Sequence, residues 1–337
     1  MINVRNAIGA VAAVAVLAGC SSSSSSTNPT PPPQPSFVYY STFNSTIGQA
    51  GLGVVAYPLT NTSTLMTTVN ISATNGLVSP SALLVDSSGR LLVLNDTAPY
   101  TIPVFTLPLT ASSTPAFTLT MPAGTNNAFN MNFDASGNLW VASTNSNTIY
   151  EFTGPFNASA TLVPVATIAT GACNRPEGLG FDIAGNLYAA CESSTGAADA
   201  VGVFLKGTGF TNATPLDHVL IGPGHPEALG FDHSGNLYVG SDLAAPNGGI
   251  AQYLSNNLGI AATPNFYNST GMATGWFPEQ FVFDTAGNIY DADCGSPAKL
   301  YVYPTGSQAF SATLAPTAAY VDANITGSNC VGGVALH

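Results

Sequence analysis

One turn, written five times at nearly constant spacing, governs what this chain can fold into. The copies are SALLVDSSGRLLVL from Ser81, FNMNFDASGNLWVA from Phe129, EGLGFDIAGNLYAA from Glu177, EALGFDHSGNLYVG from Glu227 and EQFVFDTAGNIYDA from Glu279. Their aspartates Asp86, Asp134, Asp182, Asp232 and Asp284 stand 48, 48, 50 and 52 residues apart, a period that marks an array of like units. Each copy reads as a β-hairpin: an apolar strand ends at Asp, a short loop turns on Gly, and a strand rich in Leu, Tyr and Val leaves it. The Gly occupies the left-handed loop position, where a Cβ is strained. The Asp carboxylate is placed to accept the N–H groups of the loop, so these five aspartates are expected to be structural.

Two more strands follow each hairpin, as in TIYEFTG from Thr148 and VPVATIA from Val163, or GGIAQYLSN from Gly248 and TPNFYNS from Thr263. Four antiparallel strands in about 50 residues make one propeller blade. The ends of the chain supply a sixth. VGGVALH at the C-terminus looks like a first strand, with His337 where the turn Asp would stand, and FVYYST from Phe37 looks like a second strand lacking its first. The expected fold is therefore an all-β, six-bladed propeller over 37–337, closed by pairing of the C-terminal and N-terminal strands, which also removes free sheet edges. Hairpins with this Asp-x-x-Gly-Asn-Leu-Tyr-Val core resemble the NHL repeat and, more loosely, the blades of the gluconolactonase (SMP-30) and virginiamycin B lyase families.

Residues 1–19 carry one Arg and an apolar run from Ala7 to Leu17, the layout of an export signal. The run is short for a membrane span. Leu17-Ala18-Gly19-Cys20 resembles the lipobox of bacterial lipoproteins, which implies cleavage before Cys20, lipid on its sulfur and attachment to a membrane. Ser21 after Cys20 then implies the outer membrane or cell surface. The stretch 20–36, six serines and a Pro-rich run, reads as a tether. Four cysteines remain. Cys173 lies before strand one and Cys191 ends strand two of the same blade, whereas Cys294 ends strand two of the fifth blade and Cys330 opens the closing blade beside it. Pairs Cys173–Cys191 and Cys294–Cys330 are expected, as suits an exported chain.

Charge excludes one class of partner. Five Lys and Arg against 17 Asp and Glu give a net charge of −12, so there is no basic surface for nucleic acid. The chain is expected to be a monomer. In a propeller the residues before strand one and after strand two share a face, opposite the Asp turns. Glu177, Glu227 and Glu279 each start strand one after a proline, and Asp96, Glu192, Asp242 and Asp293 each end strand two. Seven carboxylates thus gather at one mouth of the channel with Arg175 and His225, and such crowding raises pKa values or recruits a hard cation, calcium foremost. The gluconolactonase resemblance implies Glu177, Glu227 and Glu279 as metal ligands, although Ser81, Phe129 and Gly332 hold the matching places in the other blades. The same glutamates would equally serve as caps accepting backbone hydrogen bonds. The virginiamycin B lyase resemblance implies a catalytic His and Glu, for which His225 with Glu227 or Glu279 is the available set. No Gly-x-Ser-x-Gly elbow, P-loop, Cys-x-x-Cys or His-Glu-x-x-His motif occurs. Two readings stand: a tethered binding or scaffold module using the acidic face, and a metal-dependent hydrolase or lyase.

Overall fold

A computed structural model describes residues 34–43, 50–192, 199–243, 248–269, 277–295, 297–321 and 330–337. Cys20 and the rest of 1–33, which include the expected signal and most of the tether, lie outside the described residues. The described strands form six sheets. Blades 1 to 5 span residues 80–120, 128–169, 176–221, 226–268 and 278–320, each led by its first strand. Blade 6 is assembled from both ends: Cys330–Leu336 pairs antiparallel with Phe37–Phe43, followed by Ala50–Ala56 and Leu65–Asn70. Its register, Val38 opposite Leu336 and Tyr40 opposite Val334, is the predicted closure.

The turns are built as their composition demands. In blade 3, Asp182 Oδ1 accepts the N–H groups of Ala184 at 2.9 Å and Asn186 at 2.8 Å, and Oδ2 accepts the Asn186 amide at 2.8 Å. Gly185 sits at φ 82°, and a side chain there would be strained. Asp134, Asp232 and Asp284 repeat the pattern with Asn138, Asn236 and Asn288. Replacing Asp232 with Ala would strip four donors of their acceptor, so a loss of ~1–3 kcal/mol is expected. Urea denaturation reads this directly, and an unchanged midpoint would show that the glycine alone maintains the turn.

Alternation along the strands sends apolar side chains into the seams between blades rather than into one central core. Trp140 is fully buried, with Phe181 and Phe210 edge-on to it at 5.4 and 4.8 Å. Polar side chains tie first strands of different blades together. Gln280 Oε1 accepts the N–H groups of Leu83 at 3.0 Å and Val334 at 3.1 Å, while its Nε2 donates to Leu83 O at 2.9 Å. Asn130 of blade 2 reaches Glu279 O of the opposite blade at 3.3 Å.

The outer edges are covered by neighbours. The loop between strands three and four of each blade lies over the outermost strand of the blade before it. Asn212 accepts from Thr167 N at 2.7 Å, Ala262 O from Ile221 N at 2.8 Å, and Asn61 of blade 6 from Ala319 N of blade 5 at 2.7 Å. Asn268, on the edge strand of blade 4, donates its side-chain amide to Leu314 O of blade 5 at 2.6 Å. Blade 1 departs from four strands: Ala160–Thr161 of blade 2's loop pairs in parallel with Phe117–Thr120 and makes a fifth. Two residues carry no periodicity, which is why this strand left no trace in the sequence.

Candidate functional site

The acidic mouth is built by a backbone pattern repeated around the ring. The carbonyls of Ser79, Asn127, Arg175, His225 and Phe277, each preceding a first strand, accept the N–H groups of Asp96, Thr144, Glu192, Asp242 and Cys294. Just inside, blades 1 to 5 carry a register shift after the first paired residue, as between Pro176 opposite Cys191 and Leu179 opposite Ala189. Such a bulge re-aims the side chain that it displaces. The residues so placed are Ser81, Phe129, Glu177, Glu227 and Glu279, and the shift between Ser41 and Thr42 puts Gly332 in the sixth position.

The three glutamates lie within electrostatic reach of one another. Glu177 is 2% exposed and Glu279 8%, and Glu227, although partly exposed, keeps a buried Oε2. Burial comes first in holding all three carboxyls well above the usual range. Repulsion adds to it, from Glu227 on Glu177, from Glu279 on Glu227 and from Glu177 on Glu279. Among the described residues the Oε2 atoms of Glu177 and Glu227 have no hydrogen-bond partner.

Around them lies an arc on blades 3 and 4. Arg175 and His225 sit at φ 48° and 46°. Arg175 Nη2 is 3.1 Å from Glu192 Oε2 and 3.6 Å from Glu177 Oε1. His225 Nδ1 is 3.3 Å from Glu192 Oε1 and 3.6 Å from Asp242 Oδ1, and its Nε2 is 3.9 Å from Asp199 Oδ2. His225 is thus placed with Glu192, Asp242 and Asp199, and neither Glu227 nor Glu279 is among its ion-pair partners. Burial lifts Asp242 to about 6, against a lowering by His225. Asp199 escaped the sequence reading because it follows the second strand at no fixed offset and belongs to no motif.

Asp293 belongs one register inward from Asp96, Glu192 and Asp242. It pairs opposite Pro278, as Asn95, Ser143, Cys191 and Ser241 pair opposite the first residues of their blades. Its Oδ1 accepts Phe277 N at 2.7 Å and Gly295 N at 3.0 Å. That is the role that Asn95 plays toward Val78 N at 3.1 Å. Burial carries Asp293 to about 7. Blade 3 uses a disulfide at the same place: Cys173 is bonded to Cys191, with Cα atoms 5.1 Å apart. Cys294 is bonded to Cys330 with Cα atoms 4.0 Å apart, so both expected pairings are present.

The donor set does not form a cage for one ion. Among the described residues, the group of three ligand atoms lying within 4.8 Å of one another is Glu279 with Cys294 and Cys330. Those two sulfurs are bonded to each other and offer no thiolate. Three oxygens on one calcium must lie closer than twice a bond length of about 2.4 Å, and Glu177, Glu227 and Glu279 together do not meet that condition.

No protein-family model matches the chain, and no curated protein sequence matches it. Solved structures do. A periplasmic gluconolactonase from Pseudomonas aeruginosa is 14% identical, with 84% of this chain and 82% of that one covered and a TM-score of 0.55. A protein of unknown function from Bacteroides caccae is 13% identical over 90% of this chain and 98% of the other, with a TM-score of 0.55. The calcium structure of a Trichoderma reesei carbohydrate-active enzyme of family AA12 is 12% identical over 80% and 96%, with a TM-score of 0.50. At such identities the likeness is one of fold, and it agrees with the six-bladed propeller described above.

Proposed function

We propose that the protein is an exported binding module, tethered to the bacterial envelope through lipidated Cys20, that takes its ligand at the acidic mouth of the propeller. Two disulfides fit maturation in an oxidising compartment, and a net charge of −12 argues against nucleic acid as the partner. The observation that carries the reading is the pair of buried oxygens on Glu177 and Glu227 that have no partner among the described residues. A capping carboxylate would have its backbone donor, and a chain selected only for stability would replace a buried repulsive charge with an amide. Glu227→Gln is therefore expected to raise the melting temperature at pH 8 by about 2 °C or more. A lower melting temperature would mean that the carboxylate is a structural cap and that the mouth reading fails.

A second reading, a metal-dependent hydrolase or lyase, draws support from the His225 imidazole, whose Nδ1 stands 3.3 Å from Glu192 and 3.6 Å from Asp242 at the mouth and so forms a set of proton-transfer groups. The fold shared with a gluconolactonase and with a calcium-containing enzyme is support by analogy. Calcium in that case would be held by fewer than three of the glutamates, with other oxygens completing its shell. Metal analysis of the purified protein beside a lactone-hydrolysis assay separates the two. Stoichiometric calcium with chelator-sensitive turnover selects the enzyme, and neither is expected for the binding module.

A further inference from the structure

The opposite face carries a cavity of about 480 Å³ at the seam between blades 1 and 2, within the range of small-molecule sites. Its walls arise from two departures from the repeat. Blades 2 to 5 carry Asn four residues after the turn Asp, and in blades 3, 4 and 5 this Asn accepts an N–H from the blade's own loop, from Lys206, Ser255 and Gly306. Blade 1 has Arg90 there instead. Its Nε and Nη2 hold Asp86 Oδ2 at 2.8 and 2.6 Å, and Nη2 also donates across the seam to Phe156 O at 2.8 Å. The second departure is the loop that Arg90 grips. It leaves blade 2 at Gly154, where a Cβ would stand 2.6 Å from Gly137 O, and it ends in the extra strand Ala160–Thr161 on blade 1. The pocket is thus fixed from both sides before any ligand arrives.

In the wall Asp86 and Arg90 neutralise each other, and the Asp134 carboxylate is held by neutral donors. Asp86 Oδ1 takes the N–H groups of Ser88 and Arg90, and Oδ2 takes the guanidinium. Asp134 Oδ1 takes Ser136 N and Asn138 N, and Oδ2 takes the Asn138 amide and the Trp140 indole. An anion would meet an Arg90 already engaged beside two carboxylates, and a cation would meet an Asp134 whose two oxygens are already taken by hydrogen bonds, so neither recovers its desolvation. What the wall offers is the hydroxyls of Ser87, Ser88 and Ser136 beside the flat apolar surfaces of Phe133, Pro155 and Phe156. A ligand matched to both has a rim of hydroxyls and an apolar face, which is the chemistry of a pyranose ring. We propose that this seam binds a neutral saccharide of one or two residues, at a site separate from the acidic mouth and independent of what the mouth does.

The test is saturation-transfer NMR followed by calorimetry with maltose, cellobiose and N,N′-diacetylchitobiose, on the wild type, Phe156→Ala and Ser136→Trp. Ser136 is exposed in the turn, so the Trp variant fills the cavity without disturbing a core, and its melting curve verifies that it is folded. Saturable binding of at least one disaccharide is expected, weakened about tenfold or more in both variants, a difference of about 1.4 kcal/mol. Absence of saturable binding by all three sugars overturns the proposal. So does undiminished binding to the folded Ser136→Trp protein, or displacement of the sugar by citrate or spermine at constant ionic strength.

Discussion

The melting temperature should fall as pH rises from 4 to 8, the reverse of a protein stabilised by carboxylate ion pairs. Asp293 moves from 3.8 to about 7 on folding and Asp242 from 3.8 to about 6, with burial the largest cause in each. Glu177, Glu227 and Glu279 are raised as well. The folded state therefore holds protons that the unfolded state releases, and stability declines wherever the native state binds the more protons. It is fullest below about 4, is lost through the window from 3.8 to about 7, and levels off only above the folded values. At about 1.4 kcal/mol per pH unit, Asp293 contributes a loss of ~4 kcal/mol and Asp242 one of ~3 kcal/mol. Against a typical total of about 5–15 kcal/mol these are large. Melting curves from pH 4 to pH 8 at fixed ionic strength test this, and a melting temperature that rose over that interval would show that the mouth is not a store of buried carboxyls.

Removing the Cys294–Cys330 bridge should be the most damaging covalent change available. The bond closes a separation of 36 residues, for which the chain-entropy relation gives about 4 kcal/mol, against about 3 for the separation of 18 at Cys173–Cys191. Its position adds to this. It fastens the C-terminal strand, which brings the first strand of blade 6, to the second strand of blade 5, while Cys173–Cys191 stays within blade 3. The double variant Cys294→Ala, Cys330→Ala should lower the urea midpoint more than Cys173→Ala, Cys191→Ala. It should also raise hydrogen exchange in Phe37–Phe43 and Cys330–Leu336 together. Equal midpoints for the two variants would show that strand pairing alone secures the closure.

Features determined within a few residues were legible in the sequence. The Asp-to-Gly turn satisfies its own donors, so each copy announces a hairpin without help from the rest of the chain. The missing first strand at Phe37 and the surplus one at Val331 complete each other by counting. The mouth was legible as a gathering of acids, because Glu177, Glu227 and Glu279 share a place in the repeat. The bulge that aims the glutamates was not legible, whereas the different place of Asp293 was: it stands nine residues after its turn Asp, and Asp96, Glu192 and Asp242 stand ten after theirs. The seam cavity shows the same limit. Arg90 in place of Asn is plain to read, but its partner Phe156 lies 66 residues away and belongs to no repeat.

The covered outer edges bear on how the protein comes to exist in a cell. Because each blade's loop shields the edge of the blade before it, a growing chain always carries one newly formed sheet whose backbone groups await a cover not yet synthesised. Exposed edges of that kind are templates for pairing with other chains. Blade 5 waits differently, since its cover is Asn61, made near the beginning, and its edge is made almost last. The earliest and latest parts of translation thus complete the same seam. A chain truncated or stalled before blade 5 is made retains a bare edge at its last blade, which makes synthesis through blade 5 a condition of solubility as well as of shape.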